Sequence, residues 1–183
     1  MSRTMRKALS ALAGALALGL EAAVIGAFAA LVLVVLWGVG SRFVLNAPSR
    51  WTEEVAIFLL MWVALLGAAV AFRRRQHLGV DALVGVLHPA ARLLLAMVGQ
   101  VLVAVFALAV LIVGGAVLVR ETLEAGQVTP ATGLPMGYVY LAAPISGAFI
   151  LLFAVERFVG LARAGLGPDP GPAPPLPDAE EGP

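Results

Sequence analysis

Long uninterrupted runs of apolar side chains, separated by short clusters of charge, organise this chain. Four runs stand out: between Glu21 and Arg42, between Glu54 and Arg73, between Arg92 and Arg120, and between Pro135 and Glu156. They hold 20, 18, 27 and 20 residues. A helix crossing a hydrocarbon core of about 30 Å needs about 20 mainly apolar residues, so each run predicts one crossing. The third is long enough to tilt or to protrude at one end. All are rich in Leu, Val and Ala without period-2 alternation. Lipid admits only helices or closed barrels, because backbone polar groups must be satisfied without water, and these runs are too long for barrel strands. The predicted fold is therefore an all-α membrane protein with four transmembrane helices, over residues 22–41, 54–72, 92–119 and 136–158.

The charges between the runs set the expected orientation. Arg3, Arg6, Lys7, Arg73, Arg74, Arg75, Arg92, Arg157 and Arg163 fall on one side, and only Arg42, Arg50 and Arg120 on the other. Basic residues are retained in the cytoplasm, so both termini and the 73–91 loop are expected inside, with loops 42–53 and 120–135 in the periplasm. The basic start followed by an Ala/Leu run has the outline of a signal peptide. Cleavage near Ala23 would invert the arginine cluster against the charge rule, so an uncleaved start is expected. Leu9, Leu12, Leu16 and Leu20 share one helix face. Residues 1–21 are accordingly read as a cytoplasmic N-terminus whose 8–20 stretch lies along the inner surface or extends from it. Residues 159–183 form the other cytoplasmic end. Its last seventeen residues carry seven of the twelve prolines and one large apolar side chain, Leu176, a composition that cannot bury a core and predicts a disordered tail.

Composition agrees with this pattern and narrows the chemistry. The chain is 61% apolar and 13% charged with a mean hydropathy of +0.99, against about 45–50% and about 25% in soluble domains. It has no cysteine, which excludes disulfides, thiolate metal sites, iron–sulfur clusters and cysteine nucleophiles. A net charge of +1 gives no basic excess for nucleic acid. No phosphate loop, nucleophile elbow or HExxH motif is present, and neither catalysis nor a cofactor is expected.

The polar residues that remain are the candidates for function. Glu53 and Glu54 sit at the positively polarised start of the second helix, after Pro48, with Ser49 or Thr52 as its cap and Trp51 at headgroup depth. Two readings are open: a well-capped helix start with an aromatic anchor, or an ion pair of Glu54 with Arg42 or with a basic group on a partner, since an unpaired carboxylate at the membrane edge is costly. Ala64, Gly67, Ala68 and Ala71 form a small-residue stripe on the second helix, and Ala143 and Gly147 a pair on the fourth. Such faces let helices approach closely in lipid, either within this chain or against another protein. Phe58, Met61, Trp62 and Leu65 make the opposite, bulky face. His77 and Asp81 are four apart and read as a structural pair, being too few ligands for a metal. Gln100 reads as an interhelical hydrogen bond. The arginine triplet 73–75 reads as a topology determinant, with headgroup binding a secondary role.

In order and spacing, several of these segments resemble the small membrane subunit of tripartite ATP-independent periplasmic (TRAP) transporters, the DctQ type. They are Arg42-Phe-Val, Trp51-Thr-Glu-Glu54, Phe58-Leu-Leu-Met-Trp62-Val-Ala-Leu-Leu-Gly67, His77-Leu-Gly-Val-Asp81, and Thr129-Pro130-Ala-Thr-Gly133-Leu-Pro135 leading to Pro144. The Pro-rich tail and Gly137, where the family often has a bulkier residue, depart from the pattern. The resemblance implies a large permease partner (DctM type) that carries substrate and sodium. It also implies a periplasmic substrate-binding protein (DctP type), an organic acid anion as cargo, and residence in a bacterial inner membrane among lipid. On this chain it points to Arg42, Trp51, Glu53 and Glu54 at the outer rim, His77 and Asp81 at the inner one, and Trp62 and Gly67 between. Two other classes are weighed against it. A redox-complex subunit requires haem or quinone ligands at span depth, which are missing, and a self-contained channel requires more polar lining than Gln100.

Overall fold

The computed structural model of the chain describes residues 3–74 and 89–164. Its elements are helices: α1 (Arg3–Phe43), α2 (Arg50–Arg74), α3 (Pro89–Phe106), a π-helical segment π1 (Ala107–Gly114), α4 (Gly115–Glu124), the short α5 (Met136–Tyr140) and α6 (Ala142–Ala164). Four stretches are long and apolar enough to cross a membrane: Gly14–Phe43, Arg50–Arg74, Leu93–Glu124 and Met136–Arg163. The third runs through α3, π1 and α4 as one rod, and the fourth through α5 and α6. At 1.5 Å per residue the shortest, of 25 residues, is about 38 Å long, so every span exceeds a core of about 30 Å and must tilt or protrude. α1 is a single helix that carries residues 8–20 as a continuation of its span.

The helices form an open row. α1 packs on α2, α2 on α6, and α6 on α3 and π1, while α1 and α3 lie on opposite flanks. α6 is the central element, since it touches α2, α3, π1, α4 and α5. A cluster of Ala17 and Leu20 from α1, Leu66 and Ala69 from α2, and Phe153 from α6 is buried near the Arg74 end, with Trp62, Phe72 and Phe149 packed around it. Large apolar side chains on the flanks, such as Phe28, Leu36 and Trp37 on α1 and Leu94, Leu102 and Phe106 on α3, remain exposed. Water would penalise such faces, whereas lipid tails match them.

Two backbone irregularities shape the α3–α6 contact. Pro144 has no N–H to continue the hydrogen-bond ladder from α5, so the chain breaks at Leu141 and restarts; the first ladder bond after the proline is Ile145 N–H to Leu141 O, 3.2 Å. Opposite, π1 widens the ladder so that Gly115 N–H reaches Val110 O, five residues back. The two rods then meet almost backbone to backbone. A Cβ on Gly115 would stand 2.9 Å from Pro144 Cδ, and one on Gly147 would stand 2.6 Å from Leu111 Cβ.

Candidate functional site

At the Trp51 end the α1–α2 connection is laced by hydroxyl groups. Ser41 Oγ donates to Gly38 O (3.0 Å) and lies 3.2 Å from Ser49 Oγ, which is 3.0 Å from Thr52 Oγ1; Thr52 Oγ1 donates to Ser49 O at 2.7 Å. Ser41 and Thr52 are both buried, so the chain of bonds satisfies polar groups that would otherwise be stranded. Gly38 makes room for it, since a Cβ there would be 3.1 Å from Thr52 Oγ1. Asn46, in the connection, takes a positive φ of 49°, a conformation that Asn tolerates better than most residues. Beside this lacing, Arg42 and Glu53 line a crevice of about 230 Å³ between α1 and α2, with Gly38, Pro48 and Ser49.

Glu54 reaches neither Arg42 nor any other described cation. Its carboxylate accepts hydrogen bonds from the Ala131 amide (2.7 Å), the Thr132 amide (2.9 Å) and Thr132 Oγ1 (2.9 Å). Of the readings left open, the pair with Arg42 is not formed: Glu54 clamps the α4–α5 loop instead, and the Arg42 guanidinium stands over Phe43, 6.0 Å from the ring centre. The physical reason is that two successive N–H groups, one to each carboxylate oxygen, stabilise the charge without a cation. Local sequence builds that loop. Gly126 and Gly133 take positive φ of 62° and 67°, and buried Thr129 closes the turn: its N–H donates to Leu134 O, its O accepts from Gly133, and its Oγ1 accepts from Leu134 N–H, each at 3.0 Å. Val128 bridges to Pro135 across the loop.

The other candidates divide. Gly147 is buried and Ala143 half-buried at the α6–π1–α4 contact. On α2 the small stripe is not the inward face: Ala64 and Ala68 are exposed and only Gly67 and Ala71 are half-buried, Gly67 with room to spare, 3.9 Å from a Cβ to Val24 Cγ1. Trp62, on the bulky face opposite the stripe, packs on the core. Ile57, Leu60, Ala64 and Ala68 make the face that α2 leaves open. Trp51 and Glu53 are exposed at the rim. His77 and Asp81, with the Pro-rich tail, lie outside the described residues. Gln100 is nine-tenths buried, and its Oε1 has no hydrogen-bond partner among the described residues.

At the Arg74 end, an interaction that sequence patterning missed ties α1 to α2: Arg74 Nε and Nη2 donate to the two oxygens of Glu21 at 2.9 and 2.6 Å. The two residues are 53 apart in the chain, and nothing local marks them as partners. Among the described residues no group of three or more potential metal ligands occurs. The polar contacts tie α1 to α2 and α2 to the α4–α5 loop.

The sequence comparisons name the family. The family model described as "Tripartite ATP-independent periplasmic transporters, DctQ component" matches residues 31–164. The chain belongs to the DctQ family. Among similar proteins, the sialic acid TRAP transporter small permease protein of Vibrio cholerae serotype O1 is 30% identical over 76% of this chain and 79% of its own length. The C4-dicarboxylate TRAP transporter small permease protein of Rhodobacter capsulatus is 31% identical over 63% of this chain and 50% of its own. As a DctQ component the chain is a multi-pass membrane protein of a transporter class, not of an enzyme class. The matched region starts within α1 and covers the Glu54 clamp and the whole α3–α6 contact.

Proposed function

We propose that this chain is the small subunit that braces a large permease in a TRAP transporter, for sodium-driven uptake of an organic acid anion across a bacterial inner membrane. The observation that carries the reading is the open row of helices: a DctQ component whose internal contacts are close and backbone-level, yet whose α1, α2 and α3 flanks stay broadly apolar and uncovered. A brace needs rigidity inside and area outside. Tight α3–α6 packing and the Glu54 clamp supply the first, and the flanks supply the second. The named relatives act on sialic acid and C4-dicarboxylates, and an organic acid anion is the class common to both. The large permease (DctM type) carries the substrate in this scheme, and a periplasmic binding protein (DctP type) delivers it over a rim that includes Arg42, Trp51 and Glu53. Both chain ends and the 73–91 loop then face the cytoplasm, a placement that the arginine distribution supports.

Deletion of this chain, with the large permease still present in the membrane, is expected to abolish sodium-dependent anion uptake, and re-expression in trans to restore it. Purified chain reconstituted alone should pass no substrate. Unchanged uptake in the deletion strain, or flux through the chain alone, would sink the proposal.

A further inference from the structure

We infer that the crevice between α1 and α2 at the Trp51 end is a binding site for a phospholipid whose headgroup joins a phosphate to a primary ammonium, as phosphatidylethanolamine does. The crevice holds about 230 Å³. Its apolar and charged linings are separated along the helices. Val34, Val35 and Val39 of α1 and Ala56 of α2 form an apolar wall that belongs to the spans. Arg42 closes the apolar run of α1 and Glu53 precedes that of α2, so both charges stand where the helices leave the hydrocarbon, the depth at which headgroups lie.

Arg42 and Glu53 are the charged residues of the lining, one of each sign. They are not spent on one another, nor on neighbours. Neither side chain forms an ion pair or a hydrogen bond among the described residues, and the Arg42 guanidinium lies over the Phe43 ring. A guanidinium set over an aromatic face keeps its in-plane N–H groups available, and those donors match the oxygens of a phosphate diester. The carboxylate of Glu53 needs donors in turn. An anionic headgroup would leave it facing like charge, whereas a zwitterion pairs with both residues.

Proton counting in the hydroxyl lacing narrows the zwitterion further. Ser41, Ser49 and Thr52 bring one hydroxyl proton each, and Ser41 and Thr52 spend theirs on the carbonyl oxygens of Gly38 and Ser49. Ser49 Oγ must then be the donor to either of the other two hydroxyls, and it receives no proton from them. Ser49 lines the crevice and is half-buried, so its lone pairs are open to a donor from outside the chain. A primary ammonium has three N–H donors to divide between Glu53 and Ser49. A quaternary ammonium has the charge without the donors, and a glycerol headgroup has hydroxyls without the charge.

The test uses the full chain reconstituted in vesicles of equal phosphatidylethanolamine, phosphatidylcholine and phosphatidylglycerol, extracted in mild detergent, with retained lipid counted by mass spectrometry. The expected result is retention of phosphatidylethanolamine over both others. Glu53→Gln, an exposed position whose substitution spares the packing, should cut its advantage over phosphatidylglycerol about tenfold, the size of one charge-assisted hydrogen bond. Arg42→Gln should lower retention of phosphatidylethanolamine by a similar factor. Glu121→Gln, an exposed carboxylate of α4 outside the crevice, should change neither. Phosphatidylethanolamine retained no better than either other lipid, or an unchanged preference in Glu53→Gln, would overturn the inference. Displacement of the lipid by millimolar phosphoethanolamine would reassign the site to a soluble zwitterion and overturn it too. No permease is present in the experiment, so its outcome does not depend on the bracing role.

Discussion

Single residues here do their work through what they hold, and Glu54 is the clearest case. Sequence alone places its carboxylate at a helix start, where it reads as a dipole-matched cap or an ion-pair partner. Its actual donors are two amides and a hydroxyl 77 and 78 residues away. Glu54→Ala should therefore speed hydrogen exchange at Ala131 and Thr132 by about tenfold or more, since the loop loses its charged acceptor. Arg42→Ala should leave both amides protected. An equal effect of the two substitutions would restore the ion pair as the better account. The Thr129-Pro130-Ala-Thr-Gly133 segment was legible as part of a loop between spans and as a family feature. Its role as the receptor for Glu54 was not, because carboxylate recognition by backbone N–H groups leaves no signature in residue identity. Glu21 with Arg74 was hidden for a related reason: charge patterning finds partners three or four apart on one helix, and these are on different helices.

At the scale of elements, the length and apolarity of the spans were plain from the chain, while the break before Pro144 in the fourth was not. Which face of each helix turns inward was not. A small-residue stripe predicts a close helix contact in lipid, and on α6 the Ala143 and Gly147 pair makes one. On α2 the same signal misleads, because Trp62 and Leu66 pack inward while Ala64 and Ala68 are left outside. Helices that are apolar all round carry no solvent-facing side to orient them, so the hydrophobic pattern loses its directional content. The contrast is measurable. Gly147→Val should cost about 1–3 kcal/mol through overpacking against Leu111 and Ile112, seen as a lower unfolding midpoint in detergent. Gly67→Ala, with open space toward Val24, should change stability by less than about 0.5 kcal/mol or raise it slightly through helix propensity. Similar losses at both positions would mean that α2 and α6 contribute alike to the packing.

For the whole molecule, the consequence is a row of four spans instead of a closed bundle, with α6 in the middle and α1 and α3 at the flanks. The absence of cysteine makes that order easy to check by engineered disulfides. Val24→Cys with Gly67→Cys should cross-link within one chain, because Val24 Cγ1 lies 3.9 Å from the Cβ position at residue 67. Cysteine pairs between α1 and α3 should not, and efficient α1–α3 linkage would indicate a closed bundle. By itself the sequence determined that the chain lives in a membrane, how many times it crosses, and that it carries no motif for catalysis. These follow from transfer free energies and backbone hydrogen bonding, which act residue by residue along the chain. Only the tertiary structure decided which helices touch, that Glu54 clamps a loop, that Trp62 faces in, and that Arg74 pairs with Glu21. In lipid those choices rest on shape and on polar pairing between distant segments, because apolar burial no longer distinguishes inside from outside.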